Sequence, residues 1–500
     1  MTTRILKVML WGREVGRLSI DPKRKLPYFE FNREWVATGL DMSPLNASIW
    51  QPQALRPIFG ASDKIYQSLP PFLADSLPDS WGNELFEQWR QQQGIRLGEI
   101  TPLDKLAFIG KRAMGALEFV PETSNFLSSE SLNLKALIDL ANLIYTQREN
   151  AHIAPDQSLT MQSLLAVGTS AGGRQPKAII AINRATGEIR SGQVSGLKDF
   201  EYCILKFGIP ERSTAELELT YHQMATIAGI KMTPCWLIDV EGDKHFVTRR
   251  FDRDGDRKIH MQTLAALYPE ADSYERLLWV CRKMRLSERD SEEVFRRMVF
   301  NLLANNTDDH NKNFSFLMDE QGHWSLSPAY DMTYIFNTGG YLPETRHCLM
   351  IRGKYSHVTL EDVILLAAEN GIRRAERIIQ DVSRAINHFR ELALENGVRE
   401  EWIGRIENCL KGHLSEWGLA NIPHSYSYTD DSGRMIDNGH IEAAYKGNFH
   451  LIATIDGQPR KYVIRKGTPE HAAITQKGLA NVDESMIGAL VSRYFPKAAE

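Results

Sequence analysis

The chain predicts a two-lobed α+β fold, and three features of the sequence predict it. Strand-like segments fill most of the first half and helical periodicity most of the second. A glycine-rich stretch lies in the strand part, and a cluster of acids stands where the two parts meet. A small β-rich extension follows. A chain of 500 residues is too long for one compact core. The pattern divides it at 1–125, 126–270, 271–418 and 419–500.

In order, residues 5–20 (ILKVMLWGREVGRLSI) read as two short strands around Gly12-Arg13-Glu14, and extended aromatic sequence continues to about residue 59. LPPFLADSLPDSWGNELF is a Pro-punctuated entry into a helix with Asp79 or Ser80 as its cap. IGKRAMGALEFVPE (109–122) returns to strand character, and a helix is expected over about 132–148. In LLAVGTSAGGRQPKAIIAIN (164–183) an apolar run, a glycine-rich turn and an apolar strand follow one another. YCILKFG (202–208) is a buried strand carrying Lys206, and 213–230 is a helix with Gly229 as its C-terminal stop. A hairpin turns at Glu241-Gly242-Asp243 and leaves into Arg-Arg-Phe-Asp-Arg. From about 271 the period is helical. Residues 287–306 open with capping residues and bury a face at 294/295, 298/299 and 302/303, and further helices fall at 359–371, 373–396 and 400–417. Beyond Gly418, a polar linker (HSYSYTDDSGR) precedes three short strands and a last helix at 483–494.

With 43% hydrophobic and 24% charged residues the chain has the make-up of a soluble globular protein. A net charge of −4 gives no global basic field for nucleic acid. The five cysteines are scattered without a CxxC pair, which predicts unpaired thiols in a reducing compartment rather than a zinc site. With no signal-peptide pattern and no membrane-length apolar run, a cytoplasmic location is expected, with no membrane partner.

The chemistry concentrates between Asn305 and Tyr334. Asp308, Asp309, His310 and Asn313 follow the apolar helix; the hairpin FSFLM/HWSLS then delivers Asp331. One carboxylate can accept a proton from a hydroxyl while the amide and the distal carboxylate hold Mg²⁺ on a nucleotide's phosphates. A solvated loop capping the helix is the bland alternative, since Asp and Asn favour loops for local hydrogen-bonding reasons. Upstream, the glycines between Gly168 and Lys177 let backbone N–H groups approach phosphate, although no Gly-Lys-Ser/Thr makes the loop a Walker A motif. Lys206, inside an apolar strand, needs an anion or an edge to solvent, and Glu218 on the next helix is a possible partner. Of the two adjacent acids Asp308 is the candidate base, and Asp309 is read as a plain loop residue.

Taken together, LKVMLWGREVGRL, LPDSWGNELF, SAGGRQPK, the ILK strand, VTRRFDR, TDDHNKNFSF and LSPAYDMTY resemble the HipA family of bacterial serine/threonine-kinase toxins over about residues 3–417. The resemblance implies a protein-kinase-like fold, ATP and Mg²⁺ as cofactors, and Asp308 as the catalytic aspartate. It implies Asn313 and Asp331 as metal ligands and Lys206 on the ATP phosphates. Arg250, Phe251 and Asp252 would form the adenine hinge, and Gln262, His310 and Tyr330 would line the nucleotide pocket. Ala171, Gly172 and Gly173 belong to the glycine-rich loop, where Ser170 matches an autophosphorylated serine; a phosphate there would repel ATP and switch the kinase off. Implied partners are a HipB-like antitoxin, operator DNA reached through it, and a translation component such as an aminoacyl-tRNA synthetase. A kinase-fold co-repressor without phosphotransfer, and a nucleotidyl or small-molecule phosphotransferase, remain open. The last roughly 80 residues fall outside the resemblance; their Lys446, Arg460, Lys461, Arg465 and Lys466 read either as a nucleic-acid surface or as the solvated face of a packing appendage.

Overall fold

The computed structural model describes residues 5–60, 64–123, 132–147, 158–168, 175–336, 346–419, 426–429, 434–444, 448–477, 482 and 484–496. The first hairpin, Ile5–Leu10 with Arg13–Ile20, turns on Trp11 and Gly12, both in the left-handed region (φ 48° and 75°). Two left-handed residues match the twist of paired strands, so the X-Gly pair fixes the register. Glu241-Gly242 and Asp456-Gly457 repeat the device in the two later hairpins. Pro27–Phe31, Ile58–Phe59 and Leu117–Val120 complete a five-stranded sheet. The stretch expected to stay extended to residue 59 instead contains the helix Arg33–Ala37, because Asn32 caps it by accepting from the Glu34 N–H.

A second five-stranded sheet runs Ile189–Ser191, Lys177–Ile182, Glu201–Lys206, Asp243–Arg249, Cys235–Val240. Helices Ser80–Gln92, Pro102–Ile109, Leu134–Gln147 and Ser158–Gly168 share one apolar core with both sheets, joining Leu6, Phe29 and Phe119 to Ile180 and Leu205. Of the two expected caps, Asp79 and Ser80, it is Asp79 that caps Ser80–Gln92.

The helical part is built on Glu288–Leu303, whose N-terminus is closed by a Ser287–Asp290 capping box. Around it pack Tyr274–Lys283, Leu360–Glu369, Ala375–Asn387, Phe389–Asn396 and Glu400–Glu416 in a second core. The helix Thr214–Ile227 belongs to this core through Leu217, Tyr221 and Met224, although its chain lies between strands of the second sheet. It therefore spans the junction. So does a three-stranded sheet, His260–Thr263 with the predicted hairpin Ser315–Met318/Trp324–Leu326.

The end of the chain departs from expectation. Tyr426–Thr429, read as linker, is a strand, giving a four-stranded antiparallel sheet with Met435–Ala444, Asn448–Ile455 and Gln458–Ile464. Two helices, Pro469–Lys477 and Glu484–Tyr494, share its separate core through Ile474, Ile487 and Val491. The first was hidden because its helical face is weakly apolar; Ile474 is its buried contribution. Among the described residues no helix is long and apolar enough to cross a membrane.

The N-terminal unit is clamped to the segment leaving the second sheet. Asp252 accepts from Arg250 Nε and Nη2 (2.8 and 2.7 Å), from Arg253 Nη1 (2.9 Å) and from the Gly115 N–H (2.7 Å), all but fully buried. Burial alone would raise its pKa, but Arg250 and Arg253 more than offset that and hold the carboxyl below its ordinary range. A depressed carboxylate pKa stabilises the fold above the ordinary value, and the gain is lost as pH falls through the folded one. Asp252→Ala leaves two guanidinium groups buried without their anion and is expected to cost about 3–5 kcal/mol at neutral pH in urea unfolding. The loss should shrink as the wild type is acidified; a loss under 1 kcal/mol would remove the clamp from the account.

Candidate active site

After Glu288–Leu303 the chain passes through Thr307-Asp308-Asp309-His310 into a single 3₁₀ turn, Asn311–Asn313, and then into the hairpin. The Asp308 side chain is 57% exposed. Asn313 donates its Nδ2 hydrogen to the Asp308 carbonyl at 2.7 Å, so acid and amide close on one another as one loop. His310 Nε2 stands 3.9 Å from Asp308 Oδ1, outside hydrogen-bond range, and its buried Nδ1 has no hydrogen-bond partner.

The segment after the hairpin is anchored by one backbone and one side-chain bond: Ala329 N–H donates to Lys231 O at 2.8 Å, and the Arg297 guanidinium donates from Nη2 to Ser327 O at 2.7 Å. Asp331 itself takes the left-handed region (φ 53°), a conformation Asp tolerates better than most residues. Its carboxylate accepts from the Lys206 ammonium, which also pairs with Glu218. Lys206 (8% exposed) ends a central strand, and Glu218 (5% exposed) comes from the helix Thr214–Ile227. Burial would lower the lysine's pKa, but Asp331 and Glu218 outweigh it and hold the ammonium charged well above the usual lysine value. For Asp331, about a third exposed at its side chain yet ringed by protein, burial is outweighed by Lys206 and then Lys177, and the carboxyl stays below its usual range.

Two further charges were not foreseen. Lys177 stands directly opposite Lys206 in the strand ladder and is as buried. Burial pulls its pKa down, against Asp331 and Asp79. Asp79 uses Oδ1 to cap its helix (Gly82 N–H at 2.6 Å), whereas Oδ2 is buried without a hydrogen-bond partner. Burial pushes its pKa up to about 7, against the pull of Lys177. The capping rule found Asp79 but only its local job. The signal for Lys177 was a lysine heading a wholly apolar strand, KAIIAI.

Next to Asp331 in the chain, the Tyr330 ring lies 5.5 Å from that of Phe251, and the Tyr330 hydroxyl shares a hydrogen bond with Ser315 Oγ (2.5 Å). Gln262 is buried on the strand His260–Thr263 with neither amide atom hydrogen-bonded. Arg250 and Asp252 pair with each other and are buried, and Arg250 Nη1 is left without a hydrogen-bond partner. Thus the predicted residues gather in three groups: Asp308, His310 and Asn313; Lys206, Glu218 and Asp331; Phe251 and Tyr330. Ser170, Ala171, Gly172 and Gly173 lie outside the described residues. Asp309, read as a plain loop residue, is instead buried and accepts three hydrogen bonds, because it points inward where Asp308 points out.

The sequence matches the model of the HipA N-terminal domain over residues 6–120 and that of the HipA-like C-terminal domain over 169–389, together about two thirds of the chain. It is 26% identical over 364 residues to "Putative kinase Y4mE" of Sinorhizobium fredii, spanning 66% of this chain and 77% of that one. It is 20% identical over 365 residues to the serine/threonine-protein kinase toxin HipA of Shewanella oneidensis, spanning 67% and 76%. Its structure resembles the toxin HipA of Shewanella oneidensis solved with HipB and operator DNA, with a TM-score of 0.60 at 16% identity over 83% of this chain and 99% of that one. The two-lobed α+β, kinase-like fold is thereby shared.

The triad makes a test. Lys206→Met removes the cation between two carboxylates, and stranding a buried charge costs about 3–5 kcal/mol. Urea unfolding should show that loss at pH 7 and a partial recovery toward pH 5, where Glu218 and Asp331 can take up protons. A variant whose deficit is the same at both pH values would contradict the pairing.

Proposed function

The chain belongs to the HipA family, and from that premise we propose that it is a Mg·ATP-dependent serine/threonine protein kinase acting as the toxin of a pair with a HipB-like antitoxin. The observation that carries this is the buried Lys206–Asp331 ion pair, which ties the end of a central strand to the end of the hairpin that follows the outward-facing Asp308. A kinase needs little covalent help from the protein; it needs the hydroxyl, the phosphates and the metal held in place.

In this reading Asp308 orients a substrate serine or threonine and takes its proton. The hydroxyl oxygen forms a bond to the γ-phosphorus, the bond from that phosphorus to the bridging oxygen breaks, and ADP leaves with the electron pair. Lys206, kept protonated by its carboxylate partners, is the cation for the phosphates. Asn313 and Asp331 offer an amide and a carboxylate oxygen, hard donors of the type Mg²⁺ takes, and would hold it. When bound, the ion supplies neutralisation of phosphate charge. Phe251 and Tyr330 offer ring faces to a base, and the two unpartnered amide atoms of Gln262 offer it a donor and an acceptor. Ser170 is the proposed autophosphorylation site.

The proposed partners are an antitoxin of the HipB kind, operator DNA through it, and a translation component such as an aminoacyl-tRNA synthetase as substrate. The antitoxin and the DNA rest on the composition of the Shewanella oneidensis complex. Asp308→Asn is expected to lower phosphate transfer about 10²–10⁴-fold, the usual range for a general base, with ATP affinity nearly unchanged in calorimetry. Turnover close to wild type in that variant would take Asp308 out of its role.

A further inference from the structure

Resting on that reading, we propose that Asp309, beside the base, is a positioning residue that fastens the catalytic loop to the strand-like strap around His347 and Cys348. The Asp309 carboxylate is 1% exposed and accepts from Tyr274 Oη–H at 2.7 Å, from His347 Nδ1 at 3.0 Å and from the Cys348 N–H at 2.8 Å. These donors come from two separate parts of the chain. Tyr274 opens the helix Tyr274–Lys283, and the strap is tied back to that same helix start by Tyr274 N–H to Met350 O (3.0 Å) and Met350 N–H to Asp272 O (2.9 Å).

The Tyr274 hydroxyl in turn accepts from Asn301 Nδ2 (2.9 Å), and Asn301 Oδ1 accepts from Asn306 Nδ2 (2.9 Å). A buried polar chain therefore runs from the end of the helix Glu288–Leu303 through Asp309 to the strap. Apart from Asn306 Oδ1, which is buried without a hydrogen-bond partner, the named members are satisfied, and a satisfied chain rigidifies what it links.

The consequence for Asp308 follows from covalent geometry. Its carbonyl is held from one side by Asn313, and the next residue is pinned from the other by three donors, so little freedom is left to the peptide that carries the base. The strap also places Cys348 Sγ 3.9 Å from Asp308 Oδ1, so the same fastening sets what stands beside the reacting carboxylate. A carboxylate displaced by about 1 Å loses about a hundredfold in rate. Buried carboxylates that merely cap a loop would not need donors from a strap nearly 40 residues away.

The test measures γ-phosphate transfer, ATP binding and hydrogen exchange of the 346–351 segment on the full chain, as wild type, Asp309→Asn, Asp309→Ala and His347→Ala. The expected result is a fall in kcat of about 10–100-fold in both Asp309 variants. ATP affinity should stay within about twofold, and exchange at the Cys348 amide should become faster. His347→Ala, which approaches the link from the other side, should move in the same direction, and His347→Ala combined with Asp309→Ala should be no slower than Asp309→Ala alone. An Asp309→Ala chain with wild-type kcat, or variants in which kcat and ATP affinity fall together in step with unfolding, would overturn the proposal. A wild type that transfers no phosphate refutes the kinase reading in its own trace and takes the proposal with it. Impaired variants beside an active wild type leave the kinase reading standing.

Discussion

A lysine ammonium buried at the junction of the lobes has to be compensated, since moving such an ion out of water costs several kcal/mol even after relaxation. Lys206 meets that condition with Glu218 from the helix Thr214–Ile227 and Asp331 from the end of the hairpin, and so one charge ties three elements that are remote in sequence. The rest of the site depends on it. The helix must pack in the helical core for Glu218 to reach the strand sheet, and the hairpin must close in its register for Asp331 to arrive. The cluster carries more than this triad, because Lys177 and Asp79 stand next to it. A polyanionic ligand with a divalent cation brings the charges such a cluster can trade against: the phosphates toward the lysines, the cation toward Asp331.

The N-terminal unit supplies a second constraint. Asp75 accepts from Thr263 N–H and Oγ1–H at 2.8 and 2.7 Å, next in the chain to Gln262. Trp11 Nε1 donates to Lys258 O (2.8 Å), and Asp252 receives Gly115. The segment between the second sheet and Gln262 is thus gripped along its length, which fixes the wall carrying Phe251 against the wall carrying Tyr330. The first five-stranded sheet and the second share one core, so this grip belongs to a continuous body rather than to a loosely docked module.

What could be read from the sequence was whatever is decided locally. Asp79 and Ser287 capped their helices because a side-chain oxygen three residues ahead of an N–H is a short-range matter. The turns at Gly12 and at Glu241-Gly242 followed from backbone preference, although the first is Trp11-Gly12 and the expected Arg13 and Glu14 already belong to the strand; the ILK strand announced a lysine in need of an anion, and Glu218 answered it. Asp331 as that anion's companion was not predicted, because its approach depends on the return angle of the hairpin. Asp308 and Asp309 are chemically alike and adjacent, so composition could not say that one faces solvent and the other accepts from His347 and Cys348. Lys177 was seen only as the end of a glycine-rich loop. In the tail, the strand Tyr426–Thr429 and the helix Pro469–Lys477 were missed because a polar, serine-rich segment and a weakly amphipathic one give little periodic signal.

Phosphate transfer itself is the central claim, and labelled ATP tests it most directly. The purified full chain is incubated with Mg²⁺ and ATP carrying label at the γ or the α position, with and without a cell lysate, and label bound to protein is measured. The account predicts γ-label on the chain and on a lysate protein, and none from the α position. Label from the α position would make the site a nucleotidyl transferase, and absence of transfer from either would make it a binding module; both results contradict the account.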